Sequence, residues 1–396
     1  MEAFFRTHAY LVEHTNAPVR RILMDEIDWS ARMIGIKGTR GVGKTTFLLQ
    51  YAKEHFNIHD RQCLYVNLNN FYFQGRGIYE FASEFYKGGG RVLLIDQIFK
   101  HNTWSKDLRK CYDHFPELHI VFTGSSVMRL KEENPELNNI TKSYNLRGFS
   151  FREFLNLLTG NSFRPYTLDE ILTDHEHIVR DILPKVRPMD YFQDYVHHGF
   201  YPFFQEHRNY SENLLKTMNM MTEVDILLIK QIELKYLTKI KKLFYELAVD
   251  SPKTPNISQL AIDIKTSRAT VMNYIKYLAD ARLINLIYPT GEHFPKKPSK
   301  VMLHNSNLMF AIYPSEVSKQ DVMETFFVNA LWKDHQVNQN SHDKYYLVDN
   351  DKKFRVCDAI LHDNKHHYTG DTIYARYNTE VGKGNAIPLW LLGFLY

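Results

Sequence analysis

Short apolar runs alternate with helical segments along the first third of the chain. The runs at residues 33–36, 62–68, 91–96 and 119–122 predict buried strands, because each is rich in aliphatic and aromatic side chains and is bounded by polar residues. Between them, for example at residues 104–115, apolar side chains recur every three or four positions, as on one face of a helix. This alternation predicts an α/β domain with a parallel sheet covered by helices.

The first predicted strand leads into a glycine-rich loop and then a predicted helix. Gly38, Gly43, Lys44 and Thr45 satisfy the phosphate-loop pattern G-x-x-x-x-G-K-[ST]. Glycines let successive backbone N–H groups point at phosphates, and the helix N-terminus adds a positive dipole. Lys44 is expected to act at the β- and γ-phosphates of ATP, and Thr45 to ligate Mg²⁺. A chance glycine-rich turn is the alternative. The predicted nucleotide-binding residues are Gly38, Arg40, Gly41, Val42, Gly43, Lys44, Thr45 and Thr46.

A second nucleotide-site signal lies at the end of the third predicted strand. This strand, RVLLID, ends in Asp96, where a carboxylate would hold Mg²⁺ through water. The next residue is Gln97, although ATPases of this kind usually carry glutamate there to polarise the attacking water. An amide positions water but cannot accept its proton, so slow hydrolysis with intact ATP binding is expected. Alternatively, another residue supplies the base.

Composition and charge restrict the class of protein. With 396 residues, of which 44% are hydrophobic and 14% aromatic, the chain is expected to form two to four domains. The formal charge of +4 allows nucleic acid as a partner without arguing for it. Three scattered cysteines suit a reducing compartment, and the N-terminus does not predict a signal peptide. The apolar run at 386–396 is too short to span a membrane and is expected to pack as a terminal strand. A cytoplasmic protein without membrane contact is therefore expected.

Several sequence blocks together resemble a large family of bacterial and archaeal AAA-type ATPases. The blocks are IGIKGTRGVGKTTFLLQY, LLIDQIFKHNTWSKDL, HIVFTGSS, LRGFSFREFL and DYVHHGFYPFF. Members of that family carry a domain of unknown function after the ATPase module, and the resemblance covers essentially the whole chain. It implies a P-loop NTPase of the AAA type, with ATP and Mg²⁺ as cofactors.

The chain departs from the pattern of this family at three places. Gln97 replaces the usual glutamate, Asn69 is expected where the second strand commonly ends in aspartate, and residues 137–141 (LNNIT) lack the usual arginines. An engineered trapping substitution would explain Gln97 alone. Three coincident departures favour a natural decline in hydrolysis.

The resemblance also implies residues that sense the γ-phosphate. Thr123 and Ser125 belong to a small polar tip after the fourth strand, where the hydroxyls are similar to AAA sensor residues; a tight turn is the alternative. Arg147 and Arg152 are candidates to sense the phosphate from the lid or from a neighbour. For Arg152, local pairing with Glu153 that anchors a helix is the favoured alternative.

The remaining sequence predicts three further regions. Residues 151–235 are helical and aromatic, as in the lid of AAA-type proteins. Residues 236–292 predict a winged helix-turn-helix, with Ser258 and Ser267 as helix caps. This module is expected to contact either double-stranded DNA or a protein, and protein contact is favoured. The candidate DNA-contacting residues on its second helix are Arg268, Asn273 and Lys276.

Residues 293–396 are predicted to form a mixed α/β domain that resembles a decayed PD-(D/E)-x-K nuclease. Glu324 fits the helix glutamate of that fold, but the strand KKFRVCDAIL carries Arg355 where a carboxylate is needed. Two-metal cleavage requires clustered carboxylates, so no nuclease activity is expected.

These observations predict an ATP-binding AAA-type protein with domains at 1–150, 151–235, 236–292 and 293–396. Weak or absent hydrolysis favours a nucleotide-gated switch or assembly factor. The alternatives are an ATP-regulated DNA-binding protein and an active ATPase completed by a protein partner or a neighbouring subunit of a homo-oligomer.

Overall fold

The computed structural model of the protein describes residues 1–130, 132–206, 209–249, 251–313, 317–359 and 370–396. The chain divides into two compact units, Met1–Gly148 and Phe149–Tyr396. No helix in these described ranges combines the length and apolar character needed to cross a membrane.

A five-stranded parallel sheet forms the centre of the first unit, and the sequence predicts four of its strands. The strands are β1 (Met33–Gly38), β2 (Cys63–Asn67), β3 (Val92–Asp96), β4 (His119–Ser125) and β5 (Lys142–Asn145). Their order is β2-β3-β4-β1-β5, which places β1 and its loop between β4 and β5. The sequence did not predict β5, because this edge strand is largely exposed and has no apolar run.

Helices cover the sheet of the first unit. They are α1 (Glu2–His14), α2 (Leu23–Glu26), α3 (Lys44–His55), α4 (Tyr72–Gly75), α5 (Ile78–Lys87) and α6 (Trp104–His114). In α5 the buried residues are Ile78, Phe81, Ala82 and Phe85, the spacing of a single helical face. The burial of this face fixes the helix in the core of the unit.

The second unit begins with five helices, two of which start with a complete capping box. They are α7 (Phe151–Thr159), α8 (Leu168–Ile182), α9 (Pro188–Asp194), α10 (Tyr210–Met220) and α11 (Leu227–Ile229). Ser150 with Glu153, and Thr167 with Glu170, form complete capping boxes at α7 and α8.

A helix-turn-helix and a β-hairpin follow. The elements are α12 (Leu237–Ala248), α13 (Ile257–Asp263), α14 (Arg268–Asp280), β6 (Ile284–Ile287) and β7 (Lys300–Leu303). Ser267 caps α14, as predicted. The predicted cap at Ser258 was wrong: the Asn256 side chain accepts the Gln259 N–H, so α13 begins before Ser258. Antiparallel pairing of β6 with β7 carries this region beyond residue 292.

A second sheet lies toward the C-terminus, beside two helices. The elements are α15 (Ser306–Ile312), α16 (Lys319–Leu331), β8 (Val337–Asn338), β9 (Tyr346–Val348), β10 (Lys352–Asp358), β11 (Thr372–Tyr377) and β12 (Ala386–Pro388). The strand order is β12-β11-β10-β9-β8. The apolar run at 386–396 was expected to be one strand, but Leu389–Phe394 forms a 3₁₀ helix. Residues 360 and 361 of the predicted strand KKFRVCDAIL lie outside the described residues.

Candidate nucleotide-binding site

The loop between β1 and α3 has the backbone geometry of a phosphate-binding loop. Gly41 and Gly43 have φ angles of 81° and 92°, in the left-handed region that favours glycine. At Gly38, a Cβ atom would lie 2.5 Å from the Leu146 carbonyl oxygen, so a larger residue would clash with backbone. The residue before α3 is Gly43, which has no side chain that could cap the helix.

The predicted phosphate-binding side chains lie on this loop and at the start of α3. Lys44 Nζ donates to the Gly38 and Thr39 carbonyl oxygens at 2.8 and 2.7 Å, so its ammonium group folds back over the loop. Thr45 and Thr46 are exposed, Arg40 is half-buried and Val42 is buried. The Val42 side chain therefore packs in the core, and only its backbone faces the loop. Lys44 and Thr45 supply polar side chains to the site.

The carboxylate of Asp96 is the centre of a buried hydrogen-bond network. Its Oδ2 atom accepts hydrogen bonds from the Thr45 hydroxyl at 2.6 Å and the Tyr65 hydroxyl at 2.9 Å. Its Oδ1 atom accepts from the Thr123 hydroxyl and from the Gln97 N–H, the latter at 3.1 Å. The structure thus brings together Thr45 and Asp96, the two residues predicted to hold Mg²⁺. Burial and the nearby Asp96 raise the pKa of Tyr65, which keeps its hydroxyl a donor.

The end of β2 corrects one prediction from the sequence. We expected Asn69 at the end of this strand, but β2 ends at Asn67, and Asn69 lies two residues further along. Asn67 is in register with Asp96, and its Nδ2 atom lies 3.4 Å from Asp96 Oδ2. The sequence analysis missed Tyr65 and Asn67. Tyr65 and Asn67 are two residues apart on β2, so both side chains lie on the same face of the strand. This spacing could have predicted that the two side chains lie near each other.

Gln97 has an unusual backbone conformation for a residue with a side chain. Its φ angle is 58°, in the left-handed region, and its N–H lies 3.1 Å from Asp96 Oδ1 and 3.0 Å from Thr123 Oγ1. Within the described residues, its side-chain amide makes no hydrogen bond. Such backbone strain is found most often at functional sites, where the surrounding structure maintains it.

The two predicted sensor hydroxyls lie in β4, which runs through Ser125; the alternative of a turn at Thr123 is therefore wrong. Thr123 contacts Asp96 directly, as described above. Ser125 is buried and lies in register with Gly38, at the point where the phosphate loop begins. Thr123 is thus placed to orient the carboxylate, and Ser125 is placed next to the loop.

Arg21 links the phosphate loop to the segment that follows β5 by hydrogen bonds. The sequence analysis did not predict this role of Arg21. Its guanidinium donates to the Val42 carbonyl at 3.1 Å and to the Arg147 and Gly148 carbonyls at 2.7 and 3.0 Å. The backbone of Arg147 is therefore beside the loop, and its side chain is half-buried. No local pattern marked Arg21, because its partners lie far away in sequence.

Arg152 has a structural environment within the second unit. Its guanidinium donates to the Tyr396 and Phe163 carbonyl oxygens at 3.0 and 2.9 Å, and lies 4.0 Å from Glu153. These contacts match the anchoring alternative given for this residue.

The candidate DNA-contacting residues lie on α14. Arg268 and Asn273 are exposed, whereas Lys276 forms an ion pair with Asp280 at 2.8 Å.

In the C-terminal sheet, Glu324 accepts a hydrogen bond from the Tyr346 hydroxyl at 2.5 Å and lies 3.2 Å from Lys300 Nζ. Arg355 is on β10. Among the described residues, no three His, Cys, Asp or Glu side chains form a group able to hold a metal ion.

Comparison with known proteins gives two domain matches and distant relatives. Residues 30–155 match the family model described as AAA domain, and residues 189–311 match a domain of unknown function (DUF8612). Two uncharacterized proteins of Methanocaldococcus jannaschii, MJ1637 and MJ1544, are each 25% identical, over 274 and 269 residues. These matches span 65% and 64% of this chain but only 57% and 55% of the relatives' own lengths.

Two solved structures are also similar. A RuvB variant of Thermotoga maritima is 15% identical with a TM-score of 0.28, covering 80% of this chain and 96% of that protein. The Aeropyrum pernix ORC1 protein in complex with DNA is 12% identical with a TM-score of 0.31, covering 79% and 92%. The domain match and the parallel sheet with its phosphate loop carry the assignment: residues 30–155 form an AAA domain with the P-loop NTPase fold, and a domain of unknown function follows it at residues 189–311.

Proposed function

We propose that the chain binds ATP with Mg²⁺ at the loop between β1 and α3, hydrolyses it slowly or not at all, and acts as a nucleotide-gated switch or assembly factor. One observation carries the proposal: the Thr45 hydroxyl and the Asp96 carboxylate, which would hold Mg²⁺, lie 2.6 Å apart, whereas the residue after Asp96, Gln97, offers an amide in place of a carboxylate.

The residues present fit ATP with Mg²⁺. The N–H groups of the loop and of the first turn of α3 would bind the β- and γ-phosphates, because they lie at a helix N-terminus. Lys44 Nζ now contacts two loop carbonyls and would turn from them toward phosphate oxygens, which are stronger acceptors because they are charged. The Thr45 hydroxyl and the Asp96 carboxylate would hold the metal, directly and through water. Bound Mg²⁺ neutralises charge on the phosphates.

Slow hydrolysis follows from the groups around Asp96. General-base catalysis needs a group that accepts the proton of the attacking water, and the Gln97 amide cannot do this. The Asp96 carboxylate accepts hydrogen bonds from Thr45, Tyr65 and Thr123 and would also face Mg²⁺, so it is a poor substitute for that base. Gln97 can still orient a water by hydrogen bonding, which supports a long-lived ATP state.

The second unit would respond to that state. Its first helices are proposed as the lid at 151–235, and α12–α14 with the β6-β7 hairpin as a winged helix that serves protein contact. The ion pair between Lys276 and Asp280 already engages one of the candidate DNA-contacting side chains, which favours protein contact over DNA. The last 104 positions, 293–396, are proposed as the mixed α/β domain.

The decisive experiment measures Mg²⁺-dependent ATP binding and turnover on the natural chain, Gln97→Glu and Lys44→Ala. We expect the natural chain and Gln97→Glu to bind ATP with similar affinity. Gln97→Glu should raise turnover by at least about tenfold, because general-base catalysis contributes about 10² to 10⁴ in rate. Lys44→Ala should lose binding, which shows that the signal comes from this loop.

The outcomes separate the alternatives. If ATP binds and glutamate leaves turnover unchanged, the arginines absent from 137–141 or a protein partner limit the chemistry. Turnover per chain that rises with protein concentration would indicate a neighbouring chain as that partner. If neither chain binds ATP, the proposal is wrong.

A further inference from the structure

Two neighbouring helices of the second unit each expose a large apolar side chain. Tyr245 on α12 is 49% exposed and Ile262 on α13 is 69% exposed, whereas most other apolar residues of these helices are buried. A single exposed apolar residue is common on protein surfaces and needs no explanation. Two of them on one surface would form a contact site, so the relative position of the two helices decides the matter.

Two lysines of α12 fix the position of this helix against α13. Lys239 Nζ donates to the Lys265 carbonyl oxygen at 2.7 Å, and Lys242 Nζ donates to the Asp263 carbonyl oxygen at 2.8 Å. A step forward along α12, from Lys239 to Lys242, is thus a step backward along the end of α13. The two helices therefore lie side by side in opposite directions.

This arrangement brings the two exposed apolar residues onto one surface. Tyr245 follows Lys242 by three residues, about one helical turn, so it lies alongside the turn of α13 that carries Ile262. The surface, which we call the α12–α13 face, consists of Lys239, Lys242, Tyr245, Ile262 and Lys265.

The α12–α13 face has an excess of positive charge. No carboxylate in the described part of the chain forms an ion pair with its three lysines or with Arg268, which is exposed at the start of α14. The carboxylates of α12 and α13 are Glu246, which is half-buried, and Asp263, which accepts a hydrogen bond from Gln259 at 2.8 Å. Four cations against two carboxylates favour an acidic partner.

We propose that the α12–α13 face binds an acidic amphipathic helix of a partner protein. The apolar stripe of such a helix would pack on Tyr245 and Ile262, and its carboxylates would reach the lysines beside them. Nucleic acid fits this face less well, because its phosphates would use the cations and leave the Ile262 side chain in water. The inference rests on the proposed role of the winged helix in protein contact, and it adds the surface and the chemistry of the partner.

The test uses the full natural chain and three fluorescent probes. The first probe is a short helix-forming peptide with leucine at every third or fourth position and glutamate on the flanks. The second is a scrambled peptide of the same composition, and the third is a short DNA duplex. We expect saturable anisotropy changes for the first peptide, with at least about tenfold higher affinity than for the scrambled one, because scrambling removes the apolar stripe. Added salt should weaken this binding by screening the charges.

Substitutions on the face separate its apolar and charged contributions. Ile262→Asp should weaken peptide binding at least about tenfold, because it removes an apolar contact and repels glutamate. Lys239→Gln combined with Lys242→Gln should weaken it roughly threefold to tenfold, while glutamine can still donate to the α13 carbonyls. The matched controls are Leu158→Asp and Lys216→Gln, at exposed positions of α7 and α10, and they should leave affinity unchanged. Thermal unfolding of each variant checks that it is folded.

The outcomes distinguish this inference from the proposed function. Equal affinity for the amphipathic and scrambled peptides, or no saturable binding of either, overturns the inference. It is also overturned if the duplex binds more tightly than the peptide and Ile262→Asp has no effect, which would assign the face to nucleic acid. ATP binding is measured on the same samples: loss of peptide binding alone leaves the nucleotide proposal intact, and loss of ATP binding alone leaves the α12–α13 face as a protein-binding surface.

Discussion

At the scale of single residues, the Asp96 carboxylate determines the geometry of the nucleotide site. It is 1% exposed and charged groups are rarely buried to this degree, so its hydrogen bonds offset the loss of water. Those bonds come from two other strands and from α3: Tyr65 on β2, Thr123 on β4 and Thr45 at the helix start. The carboxylate therefore joins the elements that surround the phosphate loop.

Thr123→Val tests this network. Valine keeps the shape of threonine but removes the hydroxyl that donates to Asp96 and accepts the Gln97 N–H. We expect the free energy of unfolding to fall by about 1 to 3 kcal/mol, since a buried acceptor loses a donor. ATP affinity should fall as well, because Asp96 loses its orientation. Urea unfolding and ATP titration measure the two effects.

Ser125→Ala is the matched control for this substitution. It removes a hydroxyl from the same strand, and that hydroxyl accepts the Val127 N–H at 3.4 Å instead of contacting Asp96. We expect a smaller loss of stability than for Thr123→Val. An equal loss in the two variants would show that the contact with Asp96 is not the cause.

The site residues that belong to a local sequence motif were predicted from the sequence. Those that reach the site only in the folded chain were not. Gly38, Lys44 and Thr45 form one motif, and Asp96 ends a recognisable apolar strand. The role of Arg21 could not be predicted, because it depends on the Val42 and Gly148 carbonyls, which lie beside Arg21 only in the folded chain. Asn69 was misplaced because the end of β2 differs by two residues from the expected one.

At the scale of elements, α1 protects the edge of the first sheet. β2 is an edge strand, and unpaired N–H groups on such an edge invite association with other chains. His8 on α1 accepts the Tyr65 N–H at 3.0 Å through Nδ1, so the helix satisfies a donor that has no strand partner. The ring is buried, and burial lowers the pKa of His8 to about 4.

This contact predicts a loss of stability on acidification. The unfolded chain protonates His8 near its ordinary pKa of 6.5, whereas the folded chain resists protonation until about pH 4. The contribution of His8 to the free energy of unfolding is therefore complete above pH 6.5. It falls as the pH drops toward 4, by up to about 3 kcal/mol.

Unfolding measured between pH 7 and 4 tests this prediction. His8→Asn keeps an acceptor near the Tyr65 N–H but does not titrate, so we expect a shallower decline of stability with pH. His14→Asn, at an exposed position of the same helix, should keep the slope of the natural chain. A slope unchanged by His8→Asn would contradict this account.

Elements with a strong apolar period were predictable, and those defined by distant contacts were not. Strands β1 and β3 and helix α14 were predicted because burial imposes a pattern on their sequences. Strand β5 is polar and exposed at an edge, so only its pairing with β1 defines it. The apolar tail was predicted as a strand because periodicity does not separate a buried strand from a short buried helix.

At the scale of the whole molecule, the chain divides into two compact units. The phosphate loop, Asp96 and Gln97 all belong to the first unit, Met1–Gly148. If ATP contacted only the first unit, binding would stabilise that unit alone. A nucleotide-gated switch requires that the second unit also differ between the two nucleotide states, since a ligand shifts an equilibrium only through differential affinity.

Hydrogen exchange with and without Mg²⁺-ATP distinguishes these two cases in the full chain. We expect slower exchange at β1, α3 and β3, where the nucleotide binds, because binding stabilises the folded state. The switch proposal further predicts altered exchange in the second unit, above all in α12–α14, which adjoin the β6-β7 hairpin. Lys44→Ala should abolish both changes, since both depend on binding at the loop. Slowing confined to residues 1–148 would retain ATP binding and exclude the switch, because the second unit would then be indifferent to nucleotide.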